Sequence, residues 1–200
     1  MTTRRGALAV LALVVAGALA WYGGIVPGGR MNPEERLAAR PTFEQVTTEY
    51  TAMLDEMRRA LTAVTPSLAW RTPAAARDGG SFCSPPYTKI AGAESAVFDS
   101  GDADGGIPDA DWPAAVRAVD EIARRYGFRD PAAITPPAGT DGGPAKKRTN
   151  WTGPYDESLE FGSYLGTILS VYGSCYLDAA HHPGPDALPA GAYDHLADQL

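Results

Sequence analysis

Ser158-Leu159-Glu160-Phe161-Gly162, followed across residues 163–166 by Thr167-Ile168-Leu169-Ser170-Val171-Tyr172-Gly173-Ser174-Cys175-Tyr176, is the stretch that decides the fold. In its second half Leu169, Val171 and Cys175 share one side, and Ser170, Tyr172 and Ser174 the other. Alternation with period two is what a strand imposes, because successive side chains leave opposite faces of the pleat. One apolar and one polar face predict an antiparallel hairpin covered on a single side.

Two helices are signposted to provide that cover. Thr42-x-x-Gln45 is a capping box, in which the hydroxyl and the amide each satisfy an orphan backbone donor. Phe43, Val46, Tyr50, Met53, Leu54, Met57, Leu61 and Val64 then recur at helical spacing, and Pro66 ends the run. The second helix is predicted from about Asp111, with Pro113 in its first turn and Trp112, Val116, Val119, Ile122 and Tyr126 as its apolar stripe. Arg124 and Arg125 close it ahead of Gly127, which suits a C-terminal cap. Further short strands are expected at 68–71, 95–99 and 133–135. The fold class is therefore α+β, an antiparallel sheet with two main helices packed on one face.

The N-terminus gives an address. Arg4 and Arg5 precede an uncharged apolar run over residues 6–26, long enough at about 1.5 Å per residue to cross a bilayer core. Trp21 and Tyr22 suit the headgroup region at its outer end. The reading is a signal-anchor, a single-pass helix with the domain outside the cytoplasm; the alternative is signal-peptide cleavage after Ala20. Residues 27–41 read as a linker with a helical turn within 33–40, 42–177 as the extracytoplasmic domain and 178–200 as a flexible tail. All 24 acidic residues and all but two of the 17 basic ones follow Val26, a net charge of −9. That balance argues against nucleic acid as a partner. Lys146-Lys147-Arg148, the longest basic run, reads as a solvated loop. Cys83 and Cys175 are the two cysteines, and in an oxidising compartment an even count reads as a disulfide.

Gly105-Gly106-Ile107-Pro108-Asp109-Ala110-Asp111-Trp112-Pro113, continuing as AAVRAVDEIARRYGF, resembles the LppA-like lipoproteins of mycobacteria and related actinobacteria. So do Leu159-Glu160-Phe161-Gly162, Thr167-Ile168-Leu169-Ser170 and Gly173-Ser174-Cys175, with Trp70 and Cys83 in the same order. The resemblance covers roughly residues 41–177. It implies an envelope protein of no established activity and brings no catalytic residues. The family's lipid-bearing cysteine has no counterpart near residue 20, since the first cysteine is Cys83, so a peptide anchor would have to replace the lipid.

Motifs for chemistry are sparse. The acidic run 99–111 aligns to a calcium loop from Ser100, with Asp102, Asp104 and Asp111 as ligands and Gly105 at the turn. A Ser at the first position and an Asp rather than Glu at the last favour turns and a helix cap instead. His181, His182 and His195 fall in the expected tail, leaving no histidine in the globular region for a nucleophilic triad. Glu157 and Glu160, with the acidic run, form the remaining hydrolase candidate. Trp112, Trp151, Tyr155, Tyr164, Tyr172 and Tyr176 compete between core packing and a groove for glycan or lipid. The expectation is a non-catalytic envelope binding domain without a cofactor, whose partner is a protein, glycan or lipid; the alternative is a hydrolase or calcium module built on the acidic loop.

Overall fold

The structure is a computed structural model that describes residues 31–71, 74–78, 83–101, 103–134 and 147–184. The expected membrane helix at 6–26 lies outside these residues. Among the described residues no helix is long and apolar enough to cross a membrane.

Among the described residues three helices and ten strands follow in the order α1 (Pro33–Ala38), α2 (Phe43–Val64), β1 (Ala69–Trp70), β2 (Ala75–Asp78), β3 (Ala93–Glu94), β4 (Ala96–Asp99), β5 (Ala103–Asp104), α3 (Trp112–Arg125), β6 (Arg129–Ile134), β7 (Lys147–Thr152), β8 (Ser158–Ser163), β9 (Gly166–Tyr172) and β10 (Tyr176–Leu177). Eight of the strands form one antiparallel sheet. Its path is β1-β5-β9-β8-β7-β6, with β4 also paired to β9 and β2 to β4. The second edge of β9 is thus divided between β5, at Thr167, and β4, at Val171. A two-stranded sheet pairs β10 with β3.

The hairpin that decides the fold is β8–β9, in the register Leu159↔Val171 and Phe161↔Leu169. Its second strand ends at Tyr172, four residues sooner than the alternation suggests. Gly173 takes φ +103°, and the chain turns there before Ser174 and Cys175. That left-handed conformation is nearly free for glycine and costly for other residues.

Helices α2 and α3 cover one face of the sheet. The Thr42 capping box forms as read, with Gln45 N donating to Thr42 Oγ1 at 3.2 Å and Thr42 N to Gln45 Oε1 at 2.8 Å. Val46, Tyr50, Met53, Leu54, Met57 and Leu61 are buried. They pack with Val119, Ile122, Phe128, Trp151, Leu159, Phe161, Leu169 and Val171 in the main core. The α3 terminus closes as a Schellman motif around Gly127 at φ +82°, with Phe128 N donating to Ala123 O at 3.0 Å and Gly127 N to Arg124 O at 3.1 Å. Asp111 stands at its N-cap position but makes no side-chain cap bond. Its carboxylate instead accepts from Thr65 Oγ1 at 3.2 Å.

Three segments differ from their sequence reading. Lys147 and Arg148 open strand β7 rather than a solvated loop, because Thr149 and Trp151 alternate inward from them. The helical turn within the expected linker forms as α1, but it packs onto the domain instead of lying free: Leu37 is completely buried and Arg40 only 7% exposed. At the other end Asp178 to Gly184 are held by hydrogen bonds. Ala179 N donates to Glu44 Oε2 at 3.0 Å, and a His182 ring nitrogen lies 2.8 Å from Arg40 O. A second cluster results, in which Leu37, Leu177 and the bonded pair Cys83–Cys175 pack with Tyr87 and Ile90. The bridge joins residues 92 apart in sequence with their Cα atoms 5.7 Å apart.

Candidate functional site

A cleft of about 450 Å3 opens beside this second cluster. Its walls come from five places in the chain. The turn after α1 gives Arg40, the segment after Cys83 gives Ser84, Pro85 and Tyr87, and the β3–β4 strands give Ser95 and Val97. The β7–β8 connection gives Tyr155 and Asp156, and the β9–β10 turn gives Tyr172 and Gly173 to Cys175. The disulfide ties the second of these segments to the last and forms part of the wall.

Arg40 organises the cleft. One terminal nitrogen, Nη1, donates to Ser174 Oγ at 2.5 Å and Cys175 O at 3.0 Å. The other, Nη2, lies 3.4 Å from Tyr87 Oη and 3.7 Å from Asp156 Oδ2. The guanidinium carbon stands 5.3 Å from the Tyr87 ring centre and 5.7 Å from that of Tyr155. Both separations are within cation–π range, so the rings hold the cation's position. Ser174 Oγ donates onward to Tyr155 O at 2.6 Å. Tyr172 Oη donates to Glu160 Oε2 at 3.0 Å, and burial together with that bond pushes its phenol pKa up.

Below the cleft, Glu157 is fixed in the core. It is 2% exposed and accepts from Tyr50 Oη at 2.9 Å, from Tyr176 Oη, and at Oε2 from Tyr155 N at 2.7 Å. Burial, with the Glu157 charge adding to it, holds both phenols well above the ordinary value of 10.0.

The residues singled out in the sequence separate on this frame. Glu157 lies on the core side, whereas Glu160 is on the opposite face of the sheet, paired with Arg148 at 2.7 Å. The β8 backbone divides the two carboxylates, so they are not brought together as a catalytic pair. In the acidic run Ser100 is fully buried and accepts from Leu169 N at 3.2 Å. Asp104 pairs with Arg71, Asp109 with Lys147, and Asp111 with Thr65. Asp102 lies outside the described residues. Among those described, no group of three or more His, Cys, Asp or Glu is placed to hold a metal ion.

The Gly-Gly-Ile-Pro-Asp motif joins the acidic run to the hairpin tip. Ile107 N donates to Ser163 Oγ at 2.7 Å, and Lys147 Nζ to Ile107 O at 2.8 Å. A Cβ at Gly106 would overlap the Tyr164 carbonyl, which explains the glycine.

Of the six aromatics proposed for a groove, Tyr155 and Tyr172 line the cleft. Trp151 and Tyr176 are buried in the core, and Trp112 stacks on Phe161 at 4.7 Å between ring centres. Tyr164 sits at the tip of the β8–β9 hairpin. Arg40, Ser84, Tyr87 and Asp156 were missed. Arg40 stood in a charged stretch that reads as linker, although the Pro after it marks where a helix stops and a turn begins.

The family model for LppA, described as a lipoprotein confined to pathogenic Mycobacterium, matches residues 27–179. The chain belongs to the LppA family. Its fold is similar to the crystal structure of LppA from Mycobacterium tuberculosis, with a TM-score of 0.57 and 16% identity over 78% of this chain and 90% of that one. At that identity the likeness concerns the fold alone. No curated protein matches. The matched range begins ahead of α1 and ends after β10, so the LppA segment includes every wall of the cleft.

Proposed function

We propose that this LppA-family chain is a membrane-anchored envelope protein, facing outward, that binds a small envelope component in the Arg40–Tyr87–Tyr155–Tyr172 cleft without transforming it. The observation that carries the reading is the cleft itself. Five separate segments converge on it, a disulfide closes it, and a cation between two tyrosine rings organises it. Its volume is in the range of small-molecule sites, and aromatic walls with a few fixed polar groups are what such sites are made of. The family's description as lipoproteins supports the envelope address. With no cysteine before Cys83 in this chain, residues 6–26 take the anchoring role as a single-pass helix.

Two measurements on the full chain test this. In membrane flotation the protein rises with the bilayer fraction and loses that behaviour when residues 6–26 are deleted; a mature chain starting at Trp21 in the soluble fraction would refute the anchor. The detergent-purified chain, exposed to an envelope extract and washed, retains a small compound identified by mass spectrometry. Ser84→Trp, which fills the cleft from an exposed lining position, abolishes retention. Equal retention by the variant sinks the cleft as the site, and recovery of a chemically altered compound replaces binding with catalysis.

A further inference from the structure

We infer that the cleft's ligand carries a compact anionic group, a carboxylate on a ring-sized body, which seats on Arg40 in the place that Asp156 now occupies. This rests on the reading of the cleft as a binding site and adds the chemical class of what enters it.

The inference starts from an imbalance around one side chain. A guanidinium is a rigid fork of N–H donors that stays charged, and a buried charge needs a close, hydrogen-bonded countercharge. Arg40 is 7% exposed. Its Nη1 is fully engaged, at 2.5 Å and 3.0 Å from neutral oxygens. Its Nη2 has a long contact to Tyr87 Oη at 3.4 Å, and its carboxylate, Asp156, is at 3.7 Å, beyond hydrogen-bond reach. The Asp156 side chain is 92% exposed, so water solvates most of that charge and the pair contributes little. A strongly placed cation therefore faces a weakly placed anion across a cavity wall that both residues line.

The way Asp156 is held adds to this. Its φ is +69°, a conformation that L side chains other than Asn and Asp seldom adopt. The carboxylate reaches the cleft mouth from a left-handed turn residue and is not a packed side chain. Arg40, in contrast, is pinned by two ring faces, a hydroxyl and a carbonyl. It is a preorganised donor, and an incoming oxyanion at about 2.8 Å from Nη2 would gain a charge-assisted bond that Asp156 does not make. The volume leaves room for one ring-sized body beside the acid group, next to the Tyr87, Tyr155 and Tyr172 rings. A cationic ligand would meet Arg40 unfavourably, and a neutral one would leave Nη2 as it is. The domain's net negative charge repels anions at long range, so recognition depends on this local geometry rather than on steering.

Titration of the full chain in detergent, read by amide chemical shifts, tests the inference with three probes: glucuronate, glucose and inorganic phosphate. Glucuronate is expected to shift the amides of Tyr87, Asp156 and Ser174 and to bind about ten-fold more tightly than glucose. Asp156→Asn, a surface change, tightens glucuronate about three-fold or more by removing the competing carboxylate. Glucose binding as well as glucuronate overturns the anion seat while the cleft reading stands. No shift at the cleft with any probe overturns both. Phosphate binding as tightly as glucuronate supports the seat on Arg40 and overturns the ring as part of the ligand. Weaker glucuronate binding by Asp156→Asn overturns the displacement of Asp156.

Discussion

The two hydrophobic clusters of this domain are held by different means. The main core lies between α2, α3 and the sheet, and its residues repeat at helical or strand spacing. Val46, Tyr50, Met53 and Leu54 are 2% exposed or less, as are Leu159, Phe161, Leu169 and Val171. The smaller cluster has Leu37, Leu177 and a disulfide as its buried members. It sits against a buried arginine and is assembled from short, irregular segments. Burial of apolar area stabilises the first at roughly 25 cal/mol per Å2. The second has too little such area and relies on a covalent link, a cation between rings and hydrogen bonds to main-chain oxygens. The cleft lies beside the second. A ligand site needs polar groups aimed at empty space, and a cluster held by directional bonds can present them where a close-packed core cannot.

The sharpest way to break this contrast is to remove the bridge. Cys83→Ser with Cys175→Ser opens a loop of 92 residues, for which chain entropy predicts a loss of about 4 to 5 kcal/mol. Hydrogen exchange should then show the amides of 83–94 and 174–184 opening first, with β7, β8 and β9 still protected. Uniform loss of protection would mean that the two clusters are one cooperative unit. In the main core Leu54→Ala should cost about 3 kcal/mol, read by urea unfolding. Relative affinities at the cleft should be unaffected while the chain is folded.

Alkaline pH probes the polar group inside the main core, Tyr50–Glu157–Tyr176. Both phenols have folded pKa values raised well above 10.0, so their contribution is fully present below pH 10 and is lost as pH rises through the folded values. Stability should fall above pH 10 by up to about 1.4 kcal/mol per pH unit for each phenol. Tyr50→Phe should remove one phenol's share of that slope, and an unchanged slope would show that Tyr50 contributes none of it. The smallest effect is expected at the junction. Thr42→Ala removes the capping hydroxyl between Arg40 and α2 and should cost about 1 kcal/mol in thermal unfolding.

The same division separates what the sequence showed from what it hid. The Thr42 box, the α2 and α3 stripes and the Gly127 terminus were legible because each is a local rule acting over three or four residues. The β8–β9 hairpin was legible because its period is two. Strand β7 was not, since Lys147-Arg148-Thr149-Asn150 looks like solvated loop until Trp151 and its neighbours give it a face. Arg40 was not, because a long-range arrangement with Ser174, Cys175 and Tyr87 decides its burial, and nothing local records it. The same holds for Glu157, whose phenol partners lie 107 and 19 residues away. The acidic run was legible as a set of carboxylates but misleading as a set. Asp104, Asp109 and Asp111 each pair with a different residue.

The contacts of Ala179 with Glu44, and of His182 with the Arg40 carbonyl, bring the start of the domain alongside its end. Among the described residues the domain therefore closes on itself between 40–44 and 179–182, and the order of its elements need not begin at α1. A circular permutant that joins residue 184 to residue 33 through a short glycine-serine bridge, reopened at the exposed Leu165, should retain the sheet, the bridge and the Arg40 cleft.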